Sequence, residues 1–539
     1  MDVHVAERQP LRTSSAIEGL QPKQLPAGLD IAGSAADVPS SSSACHVDIL
    51  HHGPIQVAAR WESADVGTSS AETPLITAPV GGGATPQRLQ KPLDPEEFRA
   101  LGHQTVDLIA DYFRDVESFP VLPDVKPGFL SALLEDNAPE DPVKWDKIIS
   151  DLQTKILPGV THWRSPSFFA YYPSGGGTAS LLGEMVCSAL GTIGFSWITS
   201  PSSTELEMIV LDWLARLLAL PESFMSAGKG GGAIQGTASE ALLTAMVAAR
   251  QKAVLKLTSE GLTYAEAMSK LVAYGSDQTH MSMQKACMIA AIESSHFRPL
   301  RTDESTGFSL SPSILADAIA SDLKNGKTPF FCCATVGTTS SAAIDPVAEI
   351  SKITEEHGIW LHVDAAYAGP ACICPEYRHF LNGIERANSF NINMHKWGLT
   401  DFDCSPFWVR ERVHLLNALS LTPEYLKYKR PDGPQVFEYR DWQIPLGRRF
   451  RALKLWMVLS LHGASGLRAH FRKHIGYACK LKEIIEQDPR FEAGLSVRLH
   501  GVFGCARKMS NSKMTMSRKH NHIEGQMVSQ CPESRNAPI

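Results

Sequence analysis

From Gly230 onward, short apolar runs that read as strands alternate with stretches that read as helices, and this alternation restricts the fold more than any other feature. Pro329–Ala334 (PFFCCA) and Ile359–Asp364 (IWLHVD) are continuous apolar runs of strand length, and Ala286–Glu293 (ACMIAAIE) reads the same way. Gly236–Arg250 reads as a helix reached from a glycine-rich turn. Strands without polar alternation must be covered on both faces, so the expected fold is α/β, a mainly parallel sheet flanked by helices. Ligands of such sheets bind at the carboxyl ends of the strands, which directs attention to the residues that follow them.

The 539 residues leave room for more than that sheet. Residues 1–91 are rich in Ser, Ala, Pro and Gly, show no sustained apolar period, and read as a disordered low-complexity leader. At Leu93-Asp94-Pro95-Glu96-Glu97 the pattern changes: Asp94 suits an N-cap, Pro95 a first helical turn, and Glu97 the reciprocal position of a capping box. Phe98, Leu101, Leu108, Ile109, Tyr112 and Val116 then fall on one helical stripe, and a second stretch with Trp145, Ile148, Ile149, Leu152 and Ile156 ends at Pro158. We read 92–177 as an N-terminal helical arm and 178–455 as a large domain. Past about Phe491 the chain runs through Gly501-Val-Phe-Gly-Cys505 into a polar tail, so 456–539 reads as an incomplete small C-terminal domain, as a truncated or mis-spliced gene, or else a true variant with a rudimentary small domain, would leave it.

Charge and cysteine usage exclude several classes of function. Lys+Arg 51 against Asp+Glu 57 gives a net charge of −6, so no overall basic field attracts nucleic acid or an anionic membrane. No apolar run reaches the roughly 18 residues of a membrane helix. Met1 to Ser15 lack the apolar centre of a secretory signal. The 11 cysteines are scattered, odd in number and without a C-x-x-C pair, and read as reduced thiols of a cytoplasmic protein with no metal centre.

Three elements carry chemistry. Gly230-Gly-Gly-Ala-Ile-Gln-Gly236-Thr-Ala-Ser-Glu240 leads into a helix with hydroxyls at Thr237 and Ser239, and free N–H groups at such a terminus suit a phosphate. Asp364 ends an apolar strand, where a partly buried carboxylate needs a cationic partner. Lys396, in Asn393-Met-His-Lys-Trp397, stands among apolar residues, a setting that lowers an amine pKa and suits a Schiff-base nucleophile. Each has an ordinary reading alone: a common turn, a strand-end cap, a surface lysine. Their order on one α/β segment supplies the parts that pyridoxal phosphate requires.

The run from about Pro166 to about His462 resembles the aromatic L-amino acid decarboxylases, which are group II pyridoxal-phosphate-dependent enzymes. The resemblance rests on Phe168-Phe-Ala-Tyr-Tyr-Pro173, Gly194-Phe-Ser-Trp-Ile-Thr-Ser200, Ile234-Gln-Gly-Thr-Ala-Ser-Glu240, Ser276-Asp-Gln-Thr-His280, His362-Val-Asp-Ala-Ala-Tyr-Ala-Gly369, Asn393-Met-His-Lys-Trp397 and Asp441-Trp-Gln-Ile-Pro-Leu-Gly-Arg-Arg-Phe450. With the arm it covers roughly Leu93 to Phe491. It implies the aspartate-aminotransferase fold (fold type I) and a homodimer with its active sites at the subunit interface. By motif, Lys396 is the cofactor-bonding lysine and Asp364 the partner of the ring nitrogen, with His280 on one ring face and Ala366 on the other. Thr237, Ala238, Ser239, Asn393 and His395 correspond to the phosphate-binding set, and Thr339 to a residue beside the cofactor. Tyr171, Tyr172, Pro173 and Ser174 correspond to the substrate wall, and Tyr425 to a mobile-loop tyrosine that returns a proton to the substrate carbon. The implied reaction is decarboxylation of tyrosine, DOPA, tryptophan or phenylalanine to the amine. The alternatives are an aromatic aldehyde synthase of the same family, against which Tyr425 and His280 argue, and a catalytically impaired subunit.

Overall fold

The computed structural model describes residues 93–172, 174–428 and 436–488, and the backbone of two short strands at 491–493 and 505–507. The leader at 1–91 and most of the polar tail lie outside the described residues.

Asp94 caps α1 (Pro95–Asp115), its carboxylate accepting the N–H groups of Glu96 and Glu97. The reciprocal bond expected from Glu97 is not among the hydrogen bonds of the described residues. Helix α2 (Trp145–Asp151) continues as a wider turn over Leu152–Ile156 and ends around Pro158, as its proline requires. Next come α3 (Thr178–Leu190) and α4 (Pro201–Leu217), the latter capped by Ser200.

The centre is a seven-stranded sheet. Its strands are β1 (Gly231–Gln235), β2 (Leu271–Ser276), β3 (Phe297–Leu300), β4 (Thr328–Thr335), β5 (Trp360–Asp364), β6 (Ser389–Asn391) and β7 (Ser405–Val409). The spatial order is β1-β7-β6-β5-β4-β2-β3, parallel except that β7 is antiparallel to both neighbours. Side chains alternate between two cores, which is why the strands read as unbroken apolar runs. Cys332, Ala334, Leu361, Val363 and Phe390 enter one core, and Phe331, Cys333, Trp360 and Phe407 the other. The second core is closed by α5 (Ala238–Ser259), which packs Ala241, Leu242, Ala245 and Met246 against the sheet. Burial of one such large side chain is worth about 1.5–3 kcal/mol, so covering on both faces stabilises the sheet.

Two expectations need correction. Ala286–Glu293 is no strand: its first half lies in α7 (Ser282–Ile289), which follows the short α6 (Tyr264–Lys270). Met283, Ala286, Cys287 and Ala290 recur at helical spacing and fill the second core, so the apolar run is a helix face. The strand follows at Phe297–Leu300, an edge position that tolerates Arg298 and Pro299. The glycine run, read as a turn, supplies β1. A Cβ at Gly232 would lie 2.8 Å from the Trp408 ring on the paired β7, so the strand must be bare there.

Helices α8 (Pro312–Lys324) and α9 (Val347–Glu356) flank β4, the short α10 (Met394–Trp397) follows β6, and α11 (Val413–Leu419) follows β7. The last helix, α12 (Arg451–Glu486), spans the expected boundary at 455/456 and turns at Gly463, whose φ is +61°. Beyond it β8 (Phe491–Ala493) pairs antiparallel with β9 (Cys505–Arg507), where the sequence reading expected no strand. Among the described residues no helix is long and apolar enough to cross a membrane.

Candidate active site

Because β7 opposes both neighbours, β1 runs in the same direction as the parallel strands, and the carboxyl ends share one edge. A cavity of about 230 Å³ opens there. Thr237, Ala238 and Ser239 line it after β1, His280 after β2, and Thr335, Gly337 and Thr339 at the end of β4. Asp364, Ala366 and Tyr367 come from β5, and Asn393, His395, Lys396 and Phe402 from the segment after β6. The sheet thus gathers ten expected residues: Thr237, Ala238, Ser239, His280, Thr339, Asp364, Ala366, Asn393, His395 and Lys396.

Thr237 keeps an extended backbone and accepts the N–H of Glu240 at 3.2 Å, so it caps α5. The first-turn N–H groups of Ala238 and Ser239 have no carbonyl behind them in the helix and point the dipole of a 22-residue helix at the cavity. Gly337 makes the neighbouring turn with φ +88°, where a Cβ would sit 2.6 Å from the Ala368 methyl. Beneath it, buried Asp345 accepts the N–H groups of Thr335 and Leu310, each at 2.7 Å.

Asp364 is buried at the end of β5. Its Oδ1 accepts the Ala366 N–H at 3.0 Å and Asn391 Nδ2 at 3.2 Å, while Oδ2 receives no hydrogen bond among the described residues. Lys396 has its pKa lowered by burial, and Asp364 pulls it the other way. Its Nζ lies 5.3 Å from the centre of the Tyr172 ring. His395 is pushed down to about 4 by burial, with Lys396 adding to the effect. Its Nδ1 accepts the Cys404 N–H at 2.9 Å, so the proton of the neutral ring sits on Nε2. His280 is likewise lowered by burial, and its Nδ1 accepts the Ser282 N–H at 3.2 Å. Both imidazoles therefore keep a donor free. Asn393 Oδ1 accepts the Ser405 hydroxyl at 2.6 Å, which leaves its NH₂ available.

The substrate-wall residues divide. Tyr172 donates to the Thr339 carbonyl at 2.8 Å and packs 4.0 Å from Tyr367, centre to centre, at the cavity's side. Tyr171 is exposed and stacks on Trp163 instead. Ser174 is half-buried and does not line the cavity, and Pro173 lies outside the described residues. Tyr425 sits in a short turn, Glu424–Leu426, exposed and outside the lining. Residues 429–435 of the expected lid lie outside the described residues. Thr335, Gly337, Tyr367 and Phe402 line the cavity without having been assigned a role. Tyr367 was signalled by following Asp364-Ala365-Ala366, whereas nothing local marks Phe402.

The chain is also similar to known proteins. The family described as "Pyridoxal-dependent decarboxylase conserved domain" matches residues 127–503, past the Phe491 limit of the motif resemblance. A phenylacetaldehyde synthase of Arabidopsis thaliana is 56% identical over 405 residues, 75% of this chain and 81% of that protein. Tryptophan decarboxylase 2 of Oryza sativa subsp. japonica is 52% identical over 413 residues, 77% and 82% of the two chains. A crystal structure of an Oryza sativa TDC with PLP and tryptamine superposes with a TM-score of 0.73 at 43% identity, covering 75% of this chain and 82% of that one.

Proposed function

The chain belongs to the pyridoxal-dependent decarboxylase family, and from that premise we propose that it decarboxylates an aromatic L-amino acid, releasing the amine and CO₂. The observation that carries the reading is a desolvated lysine and a buried carboxylate lining one cavity with the open first turn of α5.

The residues present fit pyridoxal phosphate. The N–H groups of Ala238 and Ser239, with the Asn393 amide and the His395 Nε2–H, would hold the phosphate. Asp364 Oδ2 is an acceptor without a partner among the described residues, as a protonated ring nitrogen requires. When bound, the cofactor supplies a ring that accepts the electron pair left as the carboxyl group departs. Lys396, its charged form disfavoured by burial, keeps an amine able to act as nucleophile. Asp364 would hold a proton at the ring nitrogen of the bound cofactor, and His280 and Ala366, which line the same cavity, would pack against its ring. Tyr425 returns the proton to the substrate α-carbon once its segment covers the cavity.

Aromatic substrates suit this chain better than acidic ones. Among the lining residues Lys396 is the single lysine, no arginine is present, and Tyr367 and Phe402 supply aromatic surface, with Tyr172 packed on Tyr367 beside them. The exposed apolar side chains Leu182, Met185, Val186 and Leu190 on α3, with Ile209 and Trp213 on α4, support a homodimer. The free, buried neighbours Cys332 and Cys333 support a cytoplasmic setting.

The test is a product assay of the purified chain with pyridoxal phosphate on tyrosine, DOPA, tryptophan, phenylalanine and glutamate. Amine from at least one aromatic substrate, and less from glutamate, is expected; faster turnover of glutamate would reject the reading. The 56% identity to a phenylacetaldehyde synthase supports a second reading, in which substrate, O₂ and water give aldehyde, CO₂, ammonia and hydrogen peroxide. Peroxide equimolar with CO₂ would select it.

A further inference from the structure

In the parallel ladder of β5 and β6, His362 stands opposite Ser389 and Asp364 opposite Asn391. Residues two apart on a strand share a face, so these four side chains and Trp360 occupy one face of the sheet. All five are buried. Trp360 Nε1 donates to Ser389 Oγ at 2.8 Å, Ser389 Oγ lies 2.8 Å from His362 Nδ1, and Asn391 Nδ2 donates to Asp364 Oδ1 at 3.2 Å.

The row has one gap, with an unpartnered atom on each side of it. Asn391 spends an amide N–H on Asp364, so its Oδ1 needs a donor, and that buried oxygen has no hydrogen-bond partner among the described residues. His362 Nε2 is the ring nitrogen left over and has none either. The Asn391 side chain favours the protonated imidazole, as an acceptor facing the ring does, while burial holds His362 neutral by pushing it down to about 4. A neutral imidazole carries one proton. Placing it on Nε2 serves Asn391 and leaves Nδ1 to accept the Ser389 hydroxyl, so each step of the row donates toward Asp364.

We propose that His362 is a positioning residue for the decarboxylation: through Asn391 it fixes the Asp364 carboxylate as an acceptor for the ring nitrogen of the cofactor. Resting on the assignment of Asp364 made above, this adds what sets that carboxylate. Without a donor at position 362, the Asn391 amide is free to turn its oxygen toward Asp364, which sets two acceptors face to face. The carboxylate then shifts or takes up a proton, and the ring nitrogen loses its partner.

The test uses the full apo chain and two probes, pyridoxal phosphate and its 1-deaza analogue, in which CH replaces the ring nitrogen. The unaltered chain should bind the former more tightly. His362→Phe should lower that preference roughly tenfold, the scale of one hydrogen bond to a charged group, with affinity for the deaza analogue unchanged. His362→Gln, which offers both N–H and C=O, should restore most of it. Equal weakening toward both probes, or an undiminished preference in His362→Phe, would overturn the proposal. No preference in the unaltered chain would instead remove the Asp364 assignment and the proposal with it. Should His362→Phe not fold, the ¹⁵N spectrum of the unaltered chain, with the His362 signal assigned by its loss in His362→Gln, decides. A proton on Nε2 is expected, and a proton on Nδ1 overturns the row.

Discussion

The carboxyl edge of the sheet and the Pro423–Lys427 segment carry residues of equal weight in the proposed reaction, yet they are built in opposite ways. Asp364, Asn393 and His395 are 5%, 3% and 4% exposed, each tied by hydrogen bonds to neighbouring strands or turns. Tyr425 is 77% exposed, and Tyr171, at the other flank, is 69% exposed. Groups that would hold the cofactor are thus fixed by the core of one chain, whereas Tyr171 and Tyr425, two of the groups that would meet the substrate, lie where the core does not fix them.

Changes at the fixed edge should therefore be severe and changes at the exposed segment selective. The largest effect is expected at Lys396: Lys396→Ala should abolish both covalent attachment of the cofactor, read by absorbance, and turnover, since the cavity holds no other lysine. Next, Asp364→Asn should retain some cofactor and lower turnover by at least ~10³, about 4 kcal/mol of barrier. A loss below tenfold would mean that the edge matters less than its burial suggests.

Tyr425→Phe should leave cofactor affinity unchanged and shift product from amine toward aldehyde, ammonia and peroxide, changing the amine-to-peroxide ratio by roughly 10². Amine at the unaltered rate would place the proton donor elsewhere and blur the contrast between the two regions.

The smallest effect concerns the support under the edge. Burial pushes Asp345 from 3.8 up to about 6, its bonds from Leu310 and Thr335 offsetting part of the rise. Its folded form thus prefers the proton. The associated stability is complete below pH 3.8 and is lost as pH rises through about 6, an amount of about 3 kcal/mol. Urea unfolding of the unaltered chain and of Asp345→Asn from pH 4 to pH 7 should differ by this slope, since the opposite contribution of buried His362 and His395 is common to both.

The same contrast explains what could be read from sequence. Asp364 was legible because it ends a buried strand whose apolar run marks it, Lys396 because it stands among apolar residues beside His395 and Trp397, and α5 because a cap residue follows a glycine run. Helix α7 was misread because Ala286–Ile292 is a short apolar run that fits either period. β1 was missed because its glycines are dictated by Trp408, distant in sequence. Phe402 is delivered to the cavity by a loop, which no periodicity encodes. His362 lies in plain view within a family motif, yet its partners Ser389 and Asn391 become neighbours only when β6 pairs with β5.

The central claim is that the carboxyl edge of this sheet binds pyridoxal phosphate through Lys396. Borohydride reduction of the cofactor-loaded chain, followed by peptide mapping, tests it most directly. A single pyridoxyl group on Lys396, blocked by prior removal of the cofactor, is the predicted result. Modification at another lysine, with Lys396 unmodified, would contradict the account.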